Sequence, residues 1–218
     1  MKKNLLIIGA GGHGSVVAEA AEAVGNWNHI GFVDDRYPEM KQVYKWQVAG
    51  TCRILDSCNK DGTEVFVAIG DNDTRLNFIY DLLQKGFSLA TVIHPTACVS
   101  ALSTIDVGTV ILEKVVVQAG TRIGKGCILN SGCIITHDCE IGDGVHIAPG
   151  ARIAGRVKIG DRTWLGIGAT VIQKISIGAN VTVGAGTVVI RDIPDNVKVV
   201  GVPGRMISTE GAAVDGQE

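Results

Sequence analysis

The sequence predicts two architectures in tandem, a small α/β domain and then a parallel β-helix, and three observations carry that prediction. Positions six residues apart, from Ile93 through Ile105, Val117, Leu129, Ile141, Ile153, Leu165 and Ile177 to Val189, hold only Ile, Val or Leu seventeen times in succession. No helix or ordinary strand has that period; a solenoid has, because each repeat buries its apolar side only by stacking on the next. Four residues after each aliphatic position the side chain is small or β-branched, from Ala97 and Thr109 through Cys127, Cys133 and Cys139 to Thr187 and Ile193, so two columns point inward. Before the hexads the pattern changes to strands alternating with helical spacing, the mark of a parallel sheet covered by helices.

The elements follow in order. Residues 4–8 read as a buried strand, 15–24 as an Ala-rich helix and 29–33 as a second strand, which is a βαβ unit. Residues 65–69 form another strand running into Gly70-Asp71-Asn72, and 73–85 carry Leu76, Ile79, Tyr80 and Leu83 at helical spacing. Residues 89–93 form a strand leading into the solenoid. There, glycine often follows the aliphatic residue (Gly124, Gly142, Gly160, Gly166, Gly178, Gly184), which predicts tight corners with unusual backbone angles. The expected domains are 1–92 and 93–207, with the short polar segment 208–218 as a flexible tail.

Gly9-Ala10-Gly11-Gly12-His13-Gly14 lies between the first strand and the first helix, so it matches G-x-G-x-x-G in the context that motif needs. Glycines admit a ligand to the backbone, and free N–H groups at the helix N-terminus favour a phosphate. Asp34 and Asp35 follow the second strand, where an acidic residue can reach a ribose hydroxyl. A Rossmann-like domain of about ninety residues supplies one mononucleotide-binding half, so a nucleotide or nucleotide-sugar fits better than NAD; a ligand-free tight turn is the plain alternative.

Net charge is −2 with 19% charged residues and no basic run, which argues against nucleic acid and anionic membrane as partners. The apolar run after Met1-Lys2-Lys3 stops at Gly9, too short for a signal h-region, and no stretch approaches membrane-spanning length. None of the six cysteines forms a CxxC pair. Cys127, Cys133 and Cys139 fall in the inward column and read as core, while Cys52, Cys58 and Cys98 read as reduced thiols of a cytoplasmic protein. Of five histidines, His137 lies two residues after Ile135 at an outward position, beside Asp138, and His146 closes the next hexad. An outward imidazole titrating near neutrality suits proton transfer, with a solvated surface histidine as the plain alternative. Only His137, His146 and, at the entrance, His94 lie near the coils without a further ligand, so no metal site is expected.

The loop Gly9–Gly14, Asp34-Asp35, Ala68-Ile69-Gly70, Asn130, His137-Asp138, His146 and the closing Gly201-Val202-Pro203-Gly204-Arg205 together resemble the bacterial sugar O-acyltransferase and sialic acid O-acetyltransferase family. Within it the chain is most similar to the acetyltransferases of bacillosamine biosynthesis, which act on UDP-4-amino-4,6-dideoxy-N-acetylhexosamines. The resemblance implies a left-handed β-helix with three hexapeptides per coil, an exception to the usual right-handed crossover. It makes His137 the general base and Asp138 its supporting carboxylate, a position often Glu in relatives. It assigns His146, Ile167, Gly184 and Ala185 to acetyl-CoA. It assigns Asn130 to the acceptor and Gly12, His13, Gly14, Asp34, Asp35 and Gly70 to a UDP- or GDP-amino sugar. It further implies direct N-acetyl transfer in glycan or polysaccharide biosynthesis by a homotrimer with acetyl-CoA between subunits. O-acetylation of a sugar such as sialic acid, and a non-catalytic solenoid used for assembly, are the competing readings.

Overall fold

The computed structural model describes residues 2–207; segment 208–218, expected to be a flexible tail, lies outside the described residues. The first elements are β1 (Asn4–Ile8), α1 (Gly12–Val24), β2 (Ile30–Val33), β3 (Gln42–Val43), β4 (Trp46–Gly50), β5 (Thr63–Val67), α2 (Asn72–Gln84) and β6 (Ser88–Leu89). They build one sheet in the order β3-β4-β2-β1-β5-β6, parallel except for the β3–β4 hairpin. Side chains alternate across central β1: Leu5 and Ile7 pack with Val17, Ala18 and Ala21 of α1, whereas Ile8 packs with Ile79 and Leu82 of α2. Both faces are covered, which is why β1 reads as an unbroken apolar run.

Boundaries and two small elements differ from expectation. Helix α1 begins at Gly12, because the glycine turn is already helical, and α2 begins at Asn72, capped by the Asp71 carboxylate accepting from the Thr74 N–H at 2.9 Å. The β3–β4 hairpin and the 3₁₀ turn Cys52–Ser57 have no periodicity long enough to announce them. The single strand expected over 89–93 is two: Ser88–Leu89 pairs with β5, and Val92–Ile93 opens the solenoid.

From Val92 to Val200 the chain winds as a parallel β-helix of two-residue strands on three faces. Strands pair with a register of eighteen residues, as in Val110↔Ile128 and Ile128↔His146, so three hexads make one coil. The first face runs from Val92–Ile93 through Ile128–Leu129, His146–Ile147 and Trp164–Leu165 to Thr182–Val183. The second runs from Cys98–Val99 through Ile134–Ile135 to Val188–Val189, and the third from Thr104–Ile105 through Glu140–Ile141 to Ser176–Ile177. The second residue of each strand points into the prism and the first points out. Cys127, Cys133 and Cys139 are fully buried in the lumen, and burial pushes the Cys127 and Cys133 thiols up to about 12, so these are core groups and not nucleophiles.

The glycines after the aliphatic column need a different explanation from the one expected. Left-handed backbone falls two residues later, at Gly108, Gly120, Gly126 and Gly144, and equally at Lys114, Asp138 and Arg162. Gly124, Gly142, Gly160, Gly166, Gly178 and Gly184 are not among the residues with positive φ. A Cβ on Gly142 would stand 2.8 Å from the Asp161 nitrogen and 3.0 Å from the Gly160 carbonyl carbon. These glycines let consecutive coils stack closely at the corner.

The α/β domain docks on the first face. Helix α1 shares a core with Val92, Val110, Leu112 and Ile128, while Leu76 and Ile79 of α2 lie against Gly144 and Gly126 on the corner between the third and first faces. Asn72 donates to the Arg162 carbonyl at 2.8 Å, and Tyr80 to Asp143 at 2.8 Å.

Candidate active site

His137 and Asp138 occupy the corner between the second and third faces, between strands Ile134–Ile135 and Glu140–Ile141. The corner conformation (Asp138 φ 58°) brings adjacent side chains together, and His137 Nδ1 lies 2.9 Å from Asp138 Oδ2. With the proton on Nδ1 donated to the carboxylate, Nε2 carries the free lone pair. That hydrogen bond holds the Asp138 carboxyl below the ordinary carboxylate range, and the Arg156 guanidinium, 3.8 Å away, adds to it. Both side chains are about half exposed, so the imidazole meets solvent and any docked substrate. Arg156, which the sequence reading did not single out, competes with the imidazole for the same carboxylate.

The glycine loop has the form a phosphate cradle needs. Gly9 takes φ 99°, Gly14 packs against the Gly9 carbonyl so closely that no side chain fits, and space is open around Gly11, Gly12 and Gly70. Helix α1 starts there with no side-chain cap on its first N–H groups. Asp34 is otherwise engaged: it accepts from the Ala10 N–H at 2.7 Å and from Arg36 through the backbone N–H, Nε and Nη2 at 2.7–3.0 Å, and the Arg36 bonds hold its carboxyl far below the usual range. It therefore braces the loop against the end of β2, whereas Asp35 is exposed.

His13 and His146 lie at the junction of the two domains. Burial pushes the His13 imidazole down to about 4, helped by Arg75, and burial pushes His146 down to about 3, helped by Arg75 and by His13. In both rings Nε2 is buried without a hydrogen-bond partner. Trp164, on the next strand of the first face, meets His146 edge-on at 6.4 Å between centroids. The expected division, His13 with the nucleotide and His146 with acetyl-CoA, therefore meets one shared environment.

Arg75 organises that junction. It is 0% exposed and has no carboxylate hydrogen bond; Nε and Nη2 donate to the Gly126 and Gly144 carbonyls at 2.8 Å, Nη1 to those of Ile69 and Gly70 at 2.9 and 3.0 Å, and Nη2 to Asn72. It ties the loop that ends β5 to two corners of the prism. The signal in the sequence was an arginine at the inward spacing of Leu76, Ile79 and Leu82, which is legible only once its carbonyl partners are known.

Ile167, Gly184 and Ala185 sit on the corner between the first and second faces, Ile167 61% exposed, and Asn130 sits on the same corner two coils earlier, its Oδ1 accepting from the Ser131 N–H. The candidates thus fall in three places on one chain: the loop over the first face, the first–second corner, and His137-Asp138 on the corner opposite the docked domain. Among the described residues no group of three His, Cys, Asp or Glu side chains is placed to hold a metal ion, and no helix is long and apolar enough to cross a membrane.

Residues 4–82 match the PglD N-terminal domain, and 120–155 and 156–191 match the bacterial transferase hexapeptide of six repeats. The UDP-N-acetylbacillosamine N-acetyltransferase of Bacillus subtilis (strain 168) is 36% identical over 111 residues, a match spanning 50% of this chain and about half (51%) of that protein. The acetyltransferase domain of PglB from Neisseria gonorrhoeae FA1090, solved in complex with acetyl coenzyme A, is 40% identical with a TM-score of 0.92, covering 95% of this chain and 100% of that one. PerB from Caulobacter crescentus, solved with CoA and GDP-perosamine, is 37% identical with a TM-score of 0.89, covering 95% and 99%. Variants of that perosamine N-acetyltransferase with a histidine changed to Asn or Ala have also been solved with both ligands. The chain belongs to the family that joins a PglD-type N-terminal domain to a hexapeptide-repeat β-helix, the acetyl-CoA-dependent acetyltransferases represented by PglB and PerB.

Proposed function

We propose that the chain moves an acetyl group from acetyl-CoA directly onto the amino group of a nucleotide-linked amino sugar, with His137 as general base and Asp138 as its support. The observation that carries this reading is the 2.9 Å contact of His137 Nδ1 with Asp138, which leaves Nε2 free on an exposed corner. Attack of the amine on the thioester carbonyl forms the N–C bond and releases an N–H proton, which Nε2 accepts. Collapse breaks the C–S bond, and the same proton can pass to the departing thiolate. A positioned base of this kind contributes roughly 10² to 10⁴ in rate, about 3 to 5 kcal/mol. No covalent acetyl-enzyme is needed.

The open glycine loop and exposed Asp35 would receive the nucleotide, and the relatives' ligands, a UDP-sugar acceptor in one name and GDP-perosamine in another, support that class. The site is shared between copies in this reading. The His137 corner and the Ile167–Ala185 corner flank the second face, whose outward side chains include the half-buried Val116, Ile134, Thr170 and Val188. Side-by-side packing of three copies on that face, where exposed Arg152 stands among those side chains, would bring one copy's base to the neighbour's acetyl-CoA corner.

Thiol release should be followed while the protein is incubated with acetyl-CoA and a panel of UDP- and GDP-amino sugars, with intact-protein mass recorded in parallel. The expected result is release with at least one nucleotide amino sugar, a product heavier by one acetyl group, and no acetylated protein when the acceptor is omitted. Turnover only with free sugars, or a stable acetyl-enzyme, would contradict the reading.

A further inference from the structure

Position 155 stands out in the repeat itself. Two residues after the aliphatic column every other hexad carries a side chain, including Ala119, Ser131, Asp143, Ile167, Gln173 and Arg191, and glycine occurs there once, at Gly155. The backbone does not ask for it, because φ at Gly155 lies outside the left-handed region. Nor does stacking of the coils: a Cβ at Gly155 has the His137 ring as its three nearest neighbours, with Nε2 at 2.5 Å, Cε1 at 2.6 Å and Cδ2 at 3.1 Å. At Gly142, by contrast, the neighbours include backbone of the next coil.

We infer that Gly155 is a positioning residue for the base: the space where its side chain would stand is the seat of the His137 imidazole. The inference rests on the reading of His137 as the base. Gly155 occupies the place, one coil on, that His137 itself occupies, and the bonds that join these corners are made by backbone, Arg156 N–H to the His137 carbonyl and Lys174 N–H to the Gly155 carbonyl, each at 3.0 Å. A methyl group at 155 leaves those bonds in place, as Ala119 does one coil before His137. What it meets first is the far end of the His137 side chain, and the displaced atoms are Nε2, which must accept the proton, and its neighbour. The ring must then rotate and give up the alignment of Nδ1 with Asp138. Glycine at 155 is therefore a functional requirement rather than a folding one.

The test is a double-mutant cycle of wild type, Gly155→Ala, His137→Ala and the double variant, read as kcat and KM with acetyl-CoA and the accepted amino sugar, alongside acetyl-CoA Kd and Tm. Displacing a catalytic group by about 1 Å costs on the order of 10²-fold, so Gly155→Ala should lower kcat roughly 10- to 100-fold. Tm and acetyl-CoA Kd should stay at wild-type values, and in the His137→Ala background the same change should cost nothing further. A Gly155→Ala enzyme at full kcat beside an inactive His137→Ala would overturn the inference alone. So would equal fractional losses in both backgrounds, or a fallen Tm, since either would mark a structural role. A His137→Ala enzyme at near wild-type rate would remove the base, and with it the reading beneath.

Discussion

In the proposed mechanism, Asp138 is the residue on which the chemistry of His137 turns. There its carboxylate would fix the Nδ1–H tautomer and favour the imidazolium formed as the amine is deprotonated. Asn at 138 keeps an oxygen to accept from Nδ1 and tolerates the left-handed φ of 58°, but it removes the charge. Asp138→Asn should therefore lower kcat by roughly 10- to 100-fold with Tm unchanged; full activity in steady-state assays would mean that the carboxylate is not coupled to the base. This pair was readable from the sequence because its members are adjacent and the hexad register fixes which way His137 points. Arg75 was not, because its partners are the carbonyls of Gly126 and Gly144, 51 and 69 residues away. Asp34 was read as a ligand group because position alone cannot reveal that Ala10 and Arg36 already occupy its oxygens.

Among the elements, the coils were the most legible and their corners the least. A period of six identifies inward columns without any knowledge of corner geometry, so the lumen residues could be named, whereas the role of the corner glycines depends on the distance between coils. Their true constraint makes a sharp prediction. Gly142→Ala places a methyl group against backbone of the next coil, and overpacking of that kind costs about 1 to 3 kcal/mol. Denaturant titration should show that loss, and an unchanged midpoint would contradict the close-stacking explanation. The β3–β4 hairpin escaped because its first strand is two residues long, too short for any alternation to register. The stretch 89–93 was read as one strand because nothing in its side chains marks where the chain leaves one sheet for another.

For the molecule as a whole, the junction between domains is where two imidazoles, a buried guanidinium and the glycine loop meet. Unfolded histidine takes up a proton near pH 6.5, but His13 and His146 in the folded chain do so only near 4 and 3. Between those values the unfolded chain binds more protons, so stability present above about pH 6.5 is lost as pH falls through that window. Tm should drop between pH 6.5 and 4, and His146→Asn should flatten the profile; an identical profile in the variant would place the proton uptake elsewhere. The sequence could predict that both domains exist, but which face of the prism receives the α/β domain depends on the fit of α1 and α2 against it. That docking leaves His137 on the opposite corner, and the proposed chemistry passes through its Nε2. The most direct measurement is kcat for His137→Ala with acetyl-CoA and the accepted nucleotide amino sugar, with acetyl-CoA affinity measured on the same preparation. The account predicts a loss of roughly 10²- to 10⁴-fold in kcat with affinity nearly unchanged; turnover at the wild-type rate would contradict it.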